Sequence, residues 1–188
     1  MLLAAYARER LTPGRVLPAV LLVLTAVVAG GGWPGTRAFA IDGLLALALV
    51  ISFRILDDLM DRERDRARHP DRVLVRARST APLRHAAWLL MIVPLVALWR
   101  IGGPPPVALL VIYLVVLTTA YTWRGPRSAV ADRILLLKYG VFALVLMDVA
   151  AASSLRGQLA AAAAFVAACV YEWWHDAESP VFDFGGSR

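Results

Sequence analysis

At residues 53–65 the sequence reads FRILDDLMDRERD, a run in which four aspartates directly follow a long apolar segment. On a helix, Asp57, Asp61 and Asp65 are spaced four residues apart and share one face. Like charges at this spacing repel one another, so the row calls for a compensating cation. A hard ion such as Mg²⁺ suits carboxylate oxygens, and it takes one or two carboxylates while sharing phosphate oxygens with a substrate. The run therefore predicts a site for a diphosphate at a membrane boundary.

The sequence around this run is strongly apolar, with 60% hydrophobic residues among 188. Soluble domains average about 45–50% apolar residues, and apolar runs of about 18 residues or more predict transmembrane helices. We predict one domain, residues 1–188, with an all-α fold: a polytopic membrane helical bundle of about six transmembrane helices. The predicted spans are 16–33, 38–56, 82–99, 105–123, 134–155 and 158–174, with an acidic and basic loop at 57–81.

The net charge of +6 comes from arginines that concentrate in alternate connections between the predicted spans. The intervening connections hold only Arg37, Arg100 and Arg156. This asymmetry follows the positive-inside rule and predicts both termini and the aspartates on the cytoplasmic side of a bacterial-type inner or plasma membrane. Topology thus accounts for the arginines without nucleic acid as a partner, and membrane lipids are the expected contacts of the basic loop.

A solvated helix extension is the alternative explanation of residues 57–65, because alternating arginines and aspartates often form exposed pairs. The sequence that follows is His69-Pro70-Asp71-Arg72. Proline disfavours helical conformation in the residue before it, so the helix is expected to end here.

The pattern Asp57-Asp58-x-x-Asp61-x-x-x-Asp65 resembles the first aspartate-rich motif of the UbiA superfamily of intramembrane prenyltransferases, which reads Asn/Asp-Asp-x-x-Asp-x-x-x-Asp. The sequel at 69–72 is similar to the basic, proline-containing segment after that motif, and the resemblance extends from the first span to the sixth. It implies a Mg²⁺-dependent enzyme that transfers an isoprenyl group from a prenyl diphosphate to a lipophilic acceptor. It also implies that all four aspartates are catalytic and bind the metal.

Two features depart from the family pattern. The first position, often Asn in the family, is Asp57 here. Family members usually have nine helices, whereas six are predicted here, so the helices that would close one side of the cavity are missing. The chain would then be a compact relative, a fragment, or a protein that completes its cavity as a homo-oligomer.

A second acidic cluster stands at the end of the sixth predicted span, where family members carry a second aspartate-rich motif. Glu172 and Asp176 are four residues apart and would share a helix face on the same membrane side as the first motif. The resemblance implies that both clusters hold Mg²⁺ ions that bridge one diphosphate. A polar helix end flanked by tryptophans is the alternative, because Glu172 replaces Asp and a third carboxylate at this spacing is absent.

Basic side chains near the motif are predicted to bind the substrate. Arg54 lies one turn before the aspartates, where a salt bridge to Asp57 or Asp58 is the alternative role. Lys138 lies just inside the fifth span, where its side chain could instead snorkel to the interface. Arg72, which follows the His-Pro-Asp sequence, is the basic residue chosen from the loop.

Aromatic residues are expected to shield an allylic cation with their π faces, with packing as the alternative. Tyr139 is the one predicted to contact the substrate. Asp42 and Asp148 lie towards the outer ends of their spans, where structural or interfacial roles are expected. Cys169 is expected to fill the core. The other aromatic candidates are Tyr113, Tyr121 and Trp123.

Three other functions share these features. A UbiA-type terpene cyclase would use the same diphosphate and quench the cation internally. A non-catalytic membrane or metal-binding subunit would consume no prenyl diphosphate. A CDP-alcohol phosphotransferase also uses spaced aspartates in a membrane helix, but its Asp-Gly-x-x-Ala-Arg opening is absent from this sequence.

Overall fold

A computed structural model describes residues 1–123, 129–175 and 181 of the chain. Within these residues the chain forms α-helices and no strand. In chain order the helices are α1 (Leu2–Arg10), α2 (Pro13–Gly31), α3 (Thr36–Met60), α4 (Arg62–Arg68), α5 (Val73–Arg76), α6 (Ala81–Gly102), α7 (Pro104–Trp123), α8 (Ala129–Leu136), α9 (Lys138–Leu146), α10 (Val149–Ser153) and α11 (Leu155–His175).

Four helices in the described part of the chain are long and apolar enough to cross a membrane, namely α2, α3, α6 and α7. They correspond to the first four predicted spans. The outward face of α6 exposes Leu89, Ile92, Val93 and Val96, and an apolar outer face is typical of a helix in lipid. The prediction of an all-α helical membrane bundle is confirmed, while six spans with both termini inside stay a prediction.

The core of the bundle surrounds α3, which packs against α2, α6 and α9. Phe53 of α3 is fully buried, and its ring centroid lies 4.8 Å from that of Phe142 in α9 and 5.9 Å from that of Tyr113 in α7. Aromatic pairs at this separation stabilise beyond the area that they bury. Because Asp57 follows Phe53 by four residues, this packing sets the direction in which the first aspartate leaves the helix.

The fifth predicted span, 134–155, differs from the structure, where the chain is divided among α8, α9 and α10. Asp148 interrupts it because its Oδ1 accepts a hydrogen bond from the Ala151 backbone N–H at 2.8 Å and caps α10. At the earlier break, the Tyr113 hydroxyl donates to the carbonyl of Ile134 at 2.8 Å. Both contacts satisfy backbone groups that a helix interruption would otherwise leave unpaired in an apolar environment. Asp148 therefore has a structural role, as expected, and this role is to cap α10.

The aspartate run spans the end of α3 and most of α4. α3 ends at Met60, the chain bends at Asp61, and the backbone N–H groups of Asp61 and Asp65 still donate to the carbonyls four residues earlier, at 2.9 and 2.8 Å. α4 therefore continues α3 with a bend. It ends at Arg68, immediately before His69-Pro70, as predicted.

Gly140 provides a test of the packing between α9 and α11. A Cβ at this position would lie 2.8 Å from the backbone oxygen of Ala161. Backbone atoms yield less readily than side-chain ends, so Gly140→Ala is expected to destabilise the protein by about 1–3 kcal/mol although alanine favours helix. Thermal unfolding of detergent-solubilised protein measures this effect.

Gly14 in the first turn of α2 provides the matched control, because a Cβ there would meet nothing within 4 Å. Gly14→Ala is expected to keep or slightly raise the unfolding midpoint. Equal midpoints for Gly140→Ala and the unchanged protein would contradict the close approach of α9 to α11.

Candidate active site

The predicted site residues gather at the end of the bundle where α2 and α9 begin and where α3 and α11 end. We call residues 57–65 the acidic segment. Asp57 and the adjacent Asp58 leave the helix in different directions because each residue turns by about 100° around a helix axis, and Asp61 and Asp65 follow at and beyond the bend. The neighbours of each carboxylate therefore come from different parts of the chain.

Asp57 faces the core side of the site. It forms an ion pair with the Nζ of Lys138, and its Oδ1 accepts a hydrogen bond from the Tyr121 hydroxyl at 2.6 Å. Lys138 is the first residue of α9 and is only 8% exposed, so its amine does not reach towards the interface. The contact brings together two of the predicted site residues, which are 81 positions apart in sequence.

Asp58 faces the N-terminal helix. Its carboxylate accepts two hydrogen bonds from Arg10, at 2.6 and 2.9 Å, and one from the Tyr6 hydroxyl at 2.7 Å. Arg54 Nε lies 3.7 Å from the same carboxylate, so of the two salt bridges considered for Arg54 the structure has the one to Asp58. The charge pattern explains the arginines before the first span, including Arg10, by membrane topology and predicts no role for Tyr6. No local signal links them to Asp58, because they lie 48 and 52 residues away.

The two residues of α1 are held in their donor forms. Burial and then the nearby Asp58 charge raise the pKa of the Tyr6 phenol, so it stays protonated and can donate. For Arg10, burial opposes the charged form, but the hydrogen bonds and charge of Asp58 outweigh it and raise the pKa of the guanidinium.

The other two aspartates lie further along the acidic segment. Asp61 is half-buried at the bend between α3 and α4. Asp65 is buried and forms an ion pair with Arg72, which lies beyond the helix end at Pro70. The predicted substrate-binding residue Arg72 thus folds back onto the motif.

Glu172 of α11 is half-buried and lines a cavity of about 450 Å³ between α2, α3, α9 and α11. Most of the wall is apolar, including Leu22, Leu136 and Ala168, while Arg15 and Arg54 also line it. Ligand cavities commonly enclose about 300–1,000 Å³. The other predicted ligand from α11, Asp176, lies outside the described residues.

A second, much smaller cavity of about 30 Å³ adjoins the first and shares Arg15, Arg54 and Tyr139 with it. Arg10 and Lys138 also line it, so four basic side chains from α1, α2, α3 and α9 converge on one point.

The hydrogen bonding of Arg54, which lines both cavities, is unusual. Its Nε is buried and makes no hydrogen bond with the described part of the chain. Nearly all buried polar groups in folded proteins have a partner. The nearest recorded acceptor is the Asp58 carboxylate at 3.7 Å, so the chain engages this donor, which lies beside both cavities, only through a long ion pair.

Comparison with known proteins decides the family. The model of the UbiA prenyltransferase family matches residues 16–179, which include the acidic segment, both cavity-lining faces of α3 and α11, and the broken region around α9. The chain belongs to the UbiA prenyltransferase family. No curated protein and no solved structure gave a match. The resemblance carried by the aspartate motif is confirmed, and prenyltransferase activity in a membrane is the general function of this family.

The site of this UbiA protein contains the oxygen donors that Mg²⁺ prefers, but they are not gathered into one cage. Among the described residues, no group of three His, Cys, Asp or Glu side chains lies close enough to hold a metal ion. Mg²⁺ does not require such a group, because it commonly uses one or two carboxylates together with water and substrate phosphates. The donor set therefore fits a magnesium ion that arrives with a diphosphate.

Proposed function

We propose that this UbiA protein transfers an isoprenyl group from a prenyl diphosphate to a lipophilic acceptor, in a Mg²⁺-dependent reaction on the cytoplasmic side of the membrane. The observation that carries the proposal is the convergence of four basic side chains on a small cavity that adjoins a larger one and shares Arg54 and Tyr139 with it. A prenyl diphosphate has an anionic head, which the basic side chains would bind, and a hydrocarbon tail, for which the cavity of about 450 Å³ has room.

The basic side chains would bind the diphosphate and stabilise it as a leaving group. Arg10, Arg15, Arg54 and Lys138 line the small cavity. When the bond between the allylic carbon and the diphosphate oxygen breaks, the electron pair leaves with the oxygen. Cations already placed around that oxygen stabilise the developing charge without reorganising during the reaction. The Nε of Arg54, which makes no hydrogen bond with the described residues and lies 3.7 Å from Asp58, would donate to a phosphate oxygen.

The carboxylates proposed to hold Mg²⁺ are Asp57, Asp61 and Asp65, with Glu172 and Asp176 on the side of α11. Asp57 accepts one contact from Lys138 and one from Tyr121 among the described residues, which is about half of what a carboxylate can accept. When bound, Mg²⁺ would neutralise diphosphate charge and polarise the bond to the leaving oxygen.

The large cavity would hold the hydrocarbon and the acceptor. The apolar part of its wall, with Leu22, Leu136 and Ala168, would contact the hydrocarbon. The rings of Tyr139 and Tyr171 line it and would stabilise positive charge on the allylic carbon. The acceptor attacks that carbon and then loses a proton. His175 lines the same cavity and would accept this proton.

The test is an assay of diphosphate release by the purified protein with Mg²⁺ and geranyl, farnesyl or geranylgeranyl diphosphate. Release that requires an added lipophilic acceptor, together with a prenylated product, supports the transferase. Release without acceptor and with a cyclic hydrocarbon product would identify a terpene cyclase. Normal membrane insertion with no release from any of the three diphosphates would overturn the proposal in favour of a non-catalytic subunit.

Removal of Mg²⁺ by EDTA is expected to lower diphosphate release by at least about 100-fold, since loss of charge stabilisation at a leaving group typically costs about 10²–10³ in rate. Activity should return when Mg²⁺ is restored in excess of the chelator. The same rate in EDTA as in Mg²⁺ would contradict a metal-dependent reaction.

A further inference from the structure

Helix α1 lies outside the region matched by the family, which begins at residue 16. Its side chains nevertheless donate hydrogen bonds to Asp58, the second aspartate of the family motif. The role of α1 therefore has to be argued from its own contacts.

The contacts at Asp58 come from one face of α1. Tyr6 is 1% exposed, and its hydroxyl and the Arg10 guanidinium together donate three hydrogen bonds to the carboxylate. A carboxylate offers about four acceptor positions. Two-pronged arginine contacts are among the strongest hydrogen bonds in proteins. A metal ion would therefore have to displace a nearly complete set of donors to bind Asp58.

Helix α1 also contacts α5, which follows the acidic segment in the chain. The Glu9 carboxylate accepts a hydrogen bond from the Val73 backbone N–H, at the start of α5, at 2.9 Å. The Tyr6 ring packs in an apolar cluster with Ile55 of α3, Leu74 of α5 and Leu83 of α6. α1 thus touches the chain both before and after the acidic segment.

We propose that α1 is a clamp that positions the acidic segment, and that Asp58 is the anchor of this clamp rather than a metal ligand. Asp58 and Val73 lie on either side of Asp61 and Asp65, so fixing both ends restricts where those two carboxylates can lie. Asp58 is a positioning residue in this sense. The consequence for catalysis depends on the proposed function, whereas the clamp itself does not.

The first experiment measures amide hydrogen exchange of the detergent-solubilised protein in α1 and α5. Asp58→Asn keeps the shape of the side chain but turns one accepting oxygen into an NH₂ group that faces Arg10. Exchange in residues 2–10 and 73–76 is expected to rise by about tenfold, as for the loss of one charged hydrogen bond. Arg8→Ala is the matched control, because Arg8 is exposed on the same helix and is expected to leave exchange unchanged. Unchanged exchange in Asp58→Asn would overturn the clamp.

The second experiment compares the Mg²⁺ dependence of diphosphate release in Asp58→Asn, Tyr6→Phe and the double variant. Residues that act through one contact show losses that do not multiply. We expect Asp58→Asn to lower kcat by about tenfold, the double variant to lose no more than this, and the Mg²⁺ concentration for half-maximal rate to stay the same. A raised Mg²⁺ requirement with a loss as large as that of Asp57→Asn would make Asp58 a ligand and overturn the proposal.

The two experiments separate the clamp from the proposed function. If the unchanged protein releases no diphosphate, the prenyltransferase proposal fails, and exchange in α1 and α5 still decides whether Asp58 anchors the clamp. If exchange rises in Asp58→Asn but kcat stays at the level of the unchanged protein, the positioning role is overturned.

Discussion

Replacing Asp57 with asparagine is expected to reduce diphosphate release by about 100- to 1,000-fold, the usual effect of removing a preorganised electrostatic contact at a reacting centre. Asp57 is the aspartate of the motif that forms an ion pair with Lys138, one of the basic residues that line the small cavity. The loss should appear in kcat, because Asp57 is proposed to hold the Mg²⁺ that would stabilise the negative charge of the departing diphosphate.

The same change is expected to destabilise the protein, which must be separated from the loss of catalysis. Lys138 is buried, and Asp57 is its ion-pair partner. Removing one partner of a buried ion pair costs about 3–5 kcal/mol because the other charge is left without compensation. The unfolding midpoint of Asp57→Asn should therefore fall.

The double variant Asp57→Asn/Lys138→Met tests whether lost stability alone explains the loss of release. It removes both charges, and well-packed neutral replacements of a buried pair are often close to neutral in stability. We expect the unfolding midpoint to recover most of its loss while diphosphate release stays low. Recovery of release along with stability would show that Asp57 serves folding alone and takes no part in the reaction.

Arg54→Met is the second change for which we expect a large effect, this time on substrate binding. Arg54 lines both cavities, and its buried Nε has no hydrogen-bond partner among the described residues. A hydrogen bond to a charged group contributes about 1.5–3 kcal/mol, so the KM for the prenyl diphosphate should rise by about 10- to 100-fold. Stability should change little, because methionine keeps the apolar stem and the contact with Asp58 is long, at 3.7 Å.

Two controls accompany this variant. Arg54→Lys keeps the charge but loses the planar fork, so its KM should lie between those of Arg54→Met and the unchanged protein. Arg8→Met removes an exposed arginine away from both cavities and should leave KM unchanged. A lower kcat at constant KM in Arg54→Met would contradict a role in binding the diphosphate.

The membrane character and the first four spans could be predicted because their signals are local. An apolar run long enough to cross a bilayer needs no information from distant residues. The end of α4 before His69-Pro70 has the same local origin. The division of the fifth span was missed because an apolar run predicts a continuous helix. Its interruption depends on Asp148 as a cap and on a hydrogen bond from Tyr113 in another helix.

Part of the site was also predicted by residue type. Asp57, Arg54, Lys138 and Tyr139 were chosen because of their charge, aromatic character and place near a helix end, and the structure puts them at one end of the bundle. Their metal and substrate roles stay predictions. The pattern could not indicate that Asp57 and Asp58 bind side chains from different helices, nor that α1 would supply the partners of Asp58.

By itself, then, the sequence determined that this is a helical membrane protein with an aspartate motif at a helix end, because hydropathy and spacing are properties of neighbouring residues. Only the tertiary structure decided which basic side chain forms an ion pair with which carboxylate. Tyr6 and Arg10 bind Asp58, and Lys138 binds Asp57, at sequence separations of 48 to 81 residues. Such pairs form because burial makes an unpaired charge costly, and burial depends on how all the helices pack together.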